Sequence, residues 1–135
     1  MFAYLPSLQH GWLPAWMLLV SVTSFGNSLQ CFLSGRKVSA RVYNGKPTEV
    51  TELASRFFAA WTTASAFIRL YAAYHITNGP IYDLAWWSYV IALGHYVSEV
   101  FVFGSATLRG PAAAPYVVAT KSLLWMTLQR ANYLG

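Results

Sequence analysis

The side chains of this chain that are able to do chemistry sit inside apolar sequence. In the third of four apolar stretches, Ala85, Ser88, Ala92, His95 and Glu99 follow spacings of three and four, which puts them on one helical face. Arg69 in the second stretch and Lys121 in the fourth add two cations, and Asn27 adds an amide in the first. Stripes of small and polar residues accompany them, Ser24, Asn27 and Cys31 in the first stretch and Thr62, Ser65, Arg69 and Ala72 in the second. A charge at the centre of a bilayer costs about 2.5 to 3.5 kcal/mol even on lenient insertion scales, so such groups face other helices or a wet cavity. Counting helical rise from the more basic side, Arg69 lies about 18 Å deep, Lys121 and His95 about 14 Å and Glu99 about 8 Å. Lys121 can then snorkel toward Glu99, and Arg69 reaches the level of His95. The expectation is an intramembrane polar network of Asn27, Arg69, His95, Glu99 and Lys121, centred on Glu99 with Lys121 or Arg69 as its counter-ion. Such a network either specifies helix packing and register or couples a proton or ion to transport.

Other chemistries lack their residues. The three histidines, His10, His75 and His95, are dispersed, with no His-x-x-His or His-x-x-x-His pair to hold iron or zinc. A Ser98, His95, Glu99 triad can be drawn, but one short helical segment aims those side chains by accident. No glycine-rich phosphate loop or dinucleotide fingerprint occurs. No catalytic residue, cofactor or metal is therefore expected. The single cysteine, Cys31, lies in an apolar run and reads as a small buried side chain. An embedded glutamate in a short four-helix chain resembles small proton-coupled exporters, which carry their essential acid in the first helix; this first helix has none.

The elements that must position these groups follow from composition. Of 135 residues, 56% are hydrophobic and 10% charged, against roughly 25% charged in an ordinary soluble domain. The apolar stretches 13–33, 57–77, 81–103 and 112–128 are each long enough to cross a hydrocarbon core of about 30 Å, the last only barely. The reading is one all-α integral membrane domain over 1–135, a four-transmembrane-helix bundle with helices about 13–33, 48–77, 81–104 and 112–130. Ser34-Gly35, Asn78-Gly79-Pro80 and Gly110-Pro111 mark the breaks, and 34–56 is the only real loop. Within it Asn44-Gly45 reads as a turn and Pro47-Thr48 as a helix start, with Glu49 and Glu52 in the first turn. The N-terminal stretch MFAYLPSLQHGWLP has no Lys or Arg and no small-residue cleavage site, so the first apolar run is expected to be retained rather than removed as a signal peptide.

Charge sets the expected orientation. Arg36, Lys37, Arg41, Lys46, Arg56 and Arg109 fall on one side and Arg130 on the side of the termini, which places the 34–56 loop in the cytosol and both termini in the lumen. The formal charge of +5 is thereby explained without nucleic acid, for which no basic face exists. Trp12, Trp16, Tyr74, Tyr82, Trp86, Trp87 and Tyr133 fall near the terminal-side interface and read as an aromatic belt.

The loop and its flanks resemble the ergosterol biosynthetic protein 28 family. The resemblance lies in Arg41-Val-Tyr43 followed by Lys46-Pro47-Thr48-Glu49, then Thr51, Leu53, Arg56, Phe58 and Trp61. It extends to Leu13-Pro14-x-Trp16, Asn27-Ser28-Leu29-Gln30, Ile68-Arg69, Ser98-Glu99, Ser122-Leu123-x-Trp125-Met126, Gln129-Arg130 and Gly135. The N-terminal tail, 36–40 and the alanine-rich stretch before Tyr116 depart from the family pattern. The resemblance implies a non-catalytic scaffold of the endoplasmic-reticulum membrane. It would tether the enzymes of sterol C-4 demethylation: the sterol C-4 methyl oxidase, the decarboxylating C-3 sterol dehydrogenase and the 3-keto sterol reductase. Sterol 24-C-methyltransferase and self-association into a homo-oligomer are implied beside them. The residues expected to make partner or self contact are Tyr43, Lys46, Pro47, Thr48, Glu49 and Arg56; the plainer reading of that run is a turn and helix cap with a solvated charge pattern. A small proton-coupled transporter and a sterol- or lipid-binding membrane protein remain as alternatives, separable by flux after neutralising Glu99 and by a sterol that co-purifies.

Overall fold

The computed structural model describes residues 5, 6, 9 and 11–134, so His10, Gly135 and half of the N-terminal stretch 1–14 lie outside it. Among the described residues all regular structure is helical: α1 (Leu13–Ser34), α2 (Arg36–Val42), a 3-10 turn at Pro47–Glu49, α3 (Glu52–Tyr74), α4 (Gly79–Phe101), α5 (Ala113–Leu128) and α6 (Arg130–Leu134).

Local chemistry explains most boundaries. Pro14 stands in the first turn of α1, where its missing N–H would have no helical partner in any case. α1 stops at Gly35, whose φ of 60° is a backbone state that favours glycine. α3 begins at Glu52, four residues later than Thr48, because Pro47, Thr48 and Glu49 close a turn of their own and Val50 is extended. Thr51 is the cap, its Oγ1 accepting the Ala54 N–H at 3.0 Å. Asn78 caps α4 in the same way, accepting from the Ile81 N–H at 3.1 Å.

Four long helices are present, but their lengths and hydropathy are unequal. α1, with 22 residues and mean hydropathy 1.2, is the one described helix long and apolar enough to cross a membrane by length and composition. α3 carries Glu52, Arg56 and Arg69, α4 is rich in Tyr and Trp, and α5 stops after 16 residues, about 24 Å of rise.

The helices pack in ring order, α1 on α3, α3 on α4, α4 on α5, with α1 and α5 meeting only sparsely. The end near the termini is tightly filled by Leu13, Met17, Ala72, Tyr82, Tyr89 and Met126. Tyr82 and Tyr133, expected in the interfacial belt, belong instead to this core, 0% and 3% exposed. The Tyr82 hydroxyl donates to the Met126 carbonyl at 2.5 Å, and the Tyr133 hydroxyl accepts the Leu13 N–H at 3.3 Å. A phenol that ties two chain segments is worth more than one at the surface, because its ring fills the core while its oxygen satisfies a buried backbone group. Trp12, Tyr74 and Trp87 remain outward.

At the other end the fold holds a second loop. Residues 102–112 form an irregular segment between α4 and α5 that lies against the turn at 43–46. Gly45 N–H donates to the Ser105 carbonyl at 2.9 Å, and Thr107 Oγ1 donates to Asn44 Oδ1 at 3.0 Å. The α1–α2 corner is fastened to α3 by Ser55, which is fully buried. Its oxygen bonds Ser39 Oγ at 2.8 Å and lies 3.0 Å from the Cys31 carbonyl and 2.9 Å from the Gly35 carbonyl.

Candidate functional site

The last turns of α4 bring His95 and Glu99 to the loop end of the bundle, as their spacing requires, but their partners come from elsewhere in the chain. Tyr43, at the end of α2, places its hydroxyl 2.6 Å from His95 Nε2. The ring of Trp61 from α3 meets the imidazole edge-on at 5.1 Å. Glu99 Oε2 accepts a short hydrogen bond from the Ser105 hydroxyl, and Glu99 Oε1 lies 4.0 Å from His95 Nδ1. That distance is electrostatic contact rather than a hydrogen bond. Tyr43, His95, Glu99, Lys46, Glu49 and Phe57 line a cavity of 410 Å³ between the loops and the ends of α3 and α4.

The expected network is therefore three separate arrangements. Lys121 is exposed, and its Nζ lies 4.0 Å from the ring centre of Trp16 and 5.7 Å from that of Trp125. Its flexible stem runs toward the aromatic end, where two indole faces attract the ammonium, and away from Glu99. Arg69 stays in the interior on α3, its guanidinium carbon 4.1 Å from the ring centre of Tyr89 and its Nε donating to Ser88 Oγ at 3.2 Å. Neither cation reaches Glu99, whose carboxylate is met by Ser105. Asn27 lines the same interior groove as Arg69. Ser98 turns its hydroxyl to the His95 carbonyl at 2.8 Å and so does not stand in line with the imidazole.

Of the loop residues singled out from the sequence, Lys46, Pro47, Thr48, Glu49 and Arg56 are exposed, while Tyr43 is half-buried against His95. Burial, followed by the nearby Tyr96 and Glu99, raises the Tyr43 phenol well above its ordinary value. The unfolded phenol ionises from about pH 10 and the folded one resists, so stability falls as pH rises past 10, by up to about 1.4 kcal/mol per unit. Tyr43→Phe should flatten that alkaline loss in unfolding titrations between pH 9 and 11, and an unchanged slope would remove Tyr43 from the cause.

A phenol hydrogen-bonded to an imidazole can share a proton with it, and the Glu99 carboxylate at 4.0 Å acts on that imidazole electrostatically. Among the described residues no group of three or more His, Cys, Asp or Glu side chains could hold a metal ion. The Tyr43–His95 pair was not legible in the sequence because it joins segments 52 residues apart, and the Ser105–Glu99 bond, though only six residues apart, depends on the chain folding back after α4. The one signal was the density of the 41–61 run, which pointed to the loop without saying that Tyr43 turns inward.

The comparisons cover the same ground. The family model described as Erg28 like protein matches residues 13–124. "Ergosterol biosynthetic protein 28" of Saccharomyces cerevisiae is 40% identical over 131 residues, 97% of this chain and 88% of the relative. The protein of that name from Candida albicans is 37% identical over 97% of this chain and 94% of its own length. "Ergosterol biosynthetic protein 28 homolog" of Mus musculus is 40% identical over 84% of this chain and 81% of its own length. No solved structure matches. Since the matched residues run through the turn at 43–46, the segment 102–112 and the helices beneath them, this chain belongs to the ergosterol biosynthetic protein 28 family.

Proposed function

We propose that this chain is a non-catalytic scaffold of sterol biosynthesis in the endoplasmic-reticulum membrane. In this reading α1, α3, α4 and α5 each cross the bilayer, with the termini in the lumen and both loops in the cytosol. It tethers the sterol C-4 methyl oxidase, the decarboxylating C-3 sterol dehydrogenase and the 3-keto sterol reductase, with sterol 24-C-methyltransferase beside them, and it self-associates. Holding consecutive enzymes together raises the effective concentration of each intermediate at the next enzyme without any chemistry by the scaffold.

The pathway assignment draws on the relatives' shared name. The four-span reading draws on the outward faces: Leu19, Phe32, Phe67, Ile91, Val117 and Leu124 are exposed on all four long helices, while serines and alanines fill the interior. That is the arrangement lipid favours, small residues between helices and large apolar ones outside.

The observation that carries the scaffold reading is the pinned cradle. Lys46, Pro47, Thr48 and Glu49 are exposed on a turn whose base is fastened by backbone hydrogen bonds to the second loop. Exposed charge on a rigid mount is a surface that recognises partners with little ordering entropy lost on binding. The test is purification of the tagged chain in mild detergent with mass spectrometry of what stays bound, beside a Glu49→Lys/Arg56→Glu variant. Recovery of the C-4 demethylation enzymes, reduced several-fold in the variant, is the expected result. Recovery of the chain alone across several gentle detergents would overturn the reading.

A further inference from the structure

Because α1 and α5 barely meet, the loop half of the bundle is hollow. A cavity of 290 Å³ lies between α1, α3, α4 and α5, close to the lower end of the roughly 300–1,000 Å³ usual for ligand pockets. Its walls are mostly apolar, with Val20, Phe58, Trp61, Ala92 and Val118 among them, and Ser24, Asn27, Thr62 and Ser65 add a few polar groups. At its inner end is Arg69, 7% exposed. Thr23, Pro111 and Ala114, which border the cavity where α1 and α5 part, are exposed.

Among the described residues Arg69 meets no anion. The chain has four Asp and Glu side chains. Asp83 pairs with Arg130 at 2.9 Å, Glu99 is bound by Ser105, Glu52 accepts the Arg36 N–H at 3.3 Å, and Glu49 is exposed on the cradle. Among the described residues none lies within ion-pair distance of Arg69. A guanidinium has five N–H donors, and two are used here, Nε to Ser88 Oγ at 3.2 Å and Nη2 to the Ser88 carbonyl at 3.3 Å. The Tyr89 ring, its centre 4.1 Å from the guanidinium carbon, adds a cation–π contact. Tyr89 itself is fully buried, and the polar side chain nearest its hydroxyl is Ser122, without a hydrogen bond of good geometry between them. A buried cation with donors to spare at the end of an apolar cavity is complementary to one kind of guest.

We propose that this cavity binds an apolar molecule carrying a single oxyanion, entering between α1 and α5 and seating its acid group on Arg69. The fork of the guanidinium suits a planar acid held by two parallel hydrogen bonds. On the four-span reading Arg69 stands about 18 Å of helical rise beyond Phe57, so an acid drawn to that depth belongs to a compact amphipath rather than to a bilayer phospholipid held at the interface. The inference rests on the membrane-spanning reading above and not on the tethering.

The test uses the full chain in phosphatidylcholine nanodiscs with three radiolabelled probes: cholesteryl hemisuccinate, oleate and cholesterol. Saturable binding of at least one acid at one per chain is expected, at least about tenfold tighter than neutral cholesterol. The acid that binds more tightly identifies the body as a rigid ring system or a flexible chain. Arg69→Gln should weaken the acid at least tenfold and leave cholesterol unchanged, and Arg69→Lys should recover part of the loss. Ala114→Phe, at the exposed rim with Arg69 intact, should lower acid binding and serves as the deciding variant if Arg69→Gln does not fold. Equal affinity for acid and alcohol, or acid binding that survives both Arg69→Gln and Ala114→Phe, would overturn the proposal. Because binding is read on the chain alone, a protein that captures no enzymes yet holds the acid through Arg69 refutes the scaffold and keeps the site.

Discussion

Gly45→Ala should detach the two-loop cradle from its mount, with a loss of at least about 2 kcal/mol of stability in that region. A Cβ at position 45 would collide with the Gly104 carbonyl oxygen and lie 3.1 Å from the Ser105 carbonyl carbon and 3.2 Å from the Gly104 carbonyl carbon. All three are backbone atoms, so no flexible side chain can swing aside. The Gly45 N–H bond to Ser105 and the Thr107 bond to Asn44 would have to lengthen together. Hydrogen exchange read over residues 43–50 and 102–110 is the measurement: protection should fall in both segments while the terminal-side core around Met17 and Tyr82 keeps its own. Unchanged protection would mean that the loops accommodate the methyl and are not held by this contact. Since the cradle presents Lys46 to Glu49, the same variant should also reduce capture of partner enzymes, linking a backbone clash to the proposed function.

Ser55→Ala is expected to cost about 3 kcal/mol, more than one lost hydrogen bond, because three groups, two of them buried, depend on this hydroxyl. Its single proton is shared between the Cys31 and Gly35 carbonyls, so the Ser39 hydroxyl supplies the proton in the Ser39–Ser55 bond. Cys31 and Gly35 are at the end of α1, where helical carbonyls have no partner within the helix. Ser39→Ala should cost only about 1 kcal/mol, since Ser55 keeps both carbonyls. The double variant should cost less than the sum of the two, a coupling that denaturant unfolding of the four proteins would measure. Strict additivity would show that the serines do not act as one unit.

Much of the helical framework was legible along the chain. Pro14, Asn78 and Gly35 act through neighbours a few residues away, so helix starts and stops could be read from residue type. The inward faces could be read too: Ser65, Arg69, Ala72, Ala85, Ser88 and Ala92 recur at helical spacing and are all buried. The start of α3 was misplaced because Pro47-Thr48-Glu49 has the composition of a first helical turn, and only the extended Val50, buried against the rest of the fold, separates it from the true cap at Thr51. The segment 102–112 went unrecognised as a loop because Val102 and Phe103 are as apolar as the helix before them.

The pairing of the charges was not legible. A lysine on a four-carbon stem can rise toward either end of a bundle, and the choice fell to Trp16 and Trp125, which stand on different helices. Glu99 was expected to need a cation, yet a hydroxyl six residues on, folded back by the second loop, meets it. The amino-acid sequence by itself determined the helices, the faces they bury and the family to which the chain belongs, because periodicity, caps and motif order are local properties. The tertiary structure alone decided that Tyr43 would meet His95, that Lys121 would leave Glu99, and that Arg69 would stand without a carboxylate beside a cavity, because each depends on how helices distant in the chain are rotated and spaced against one another.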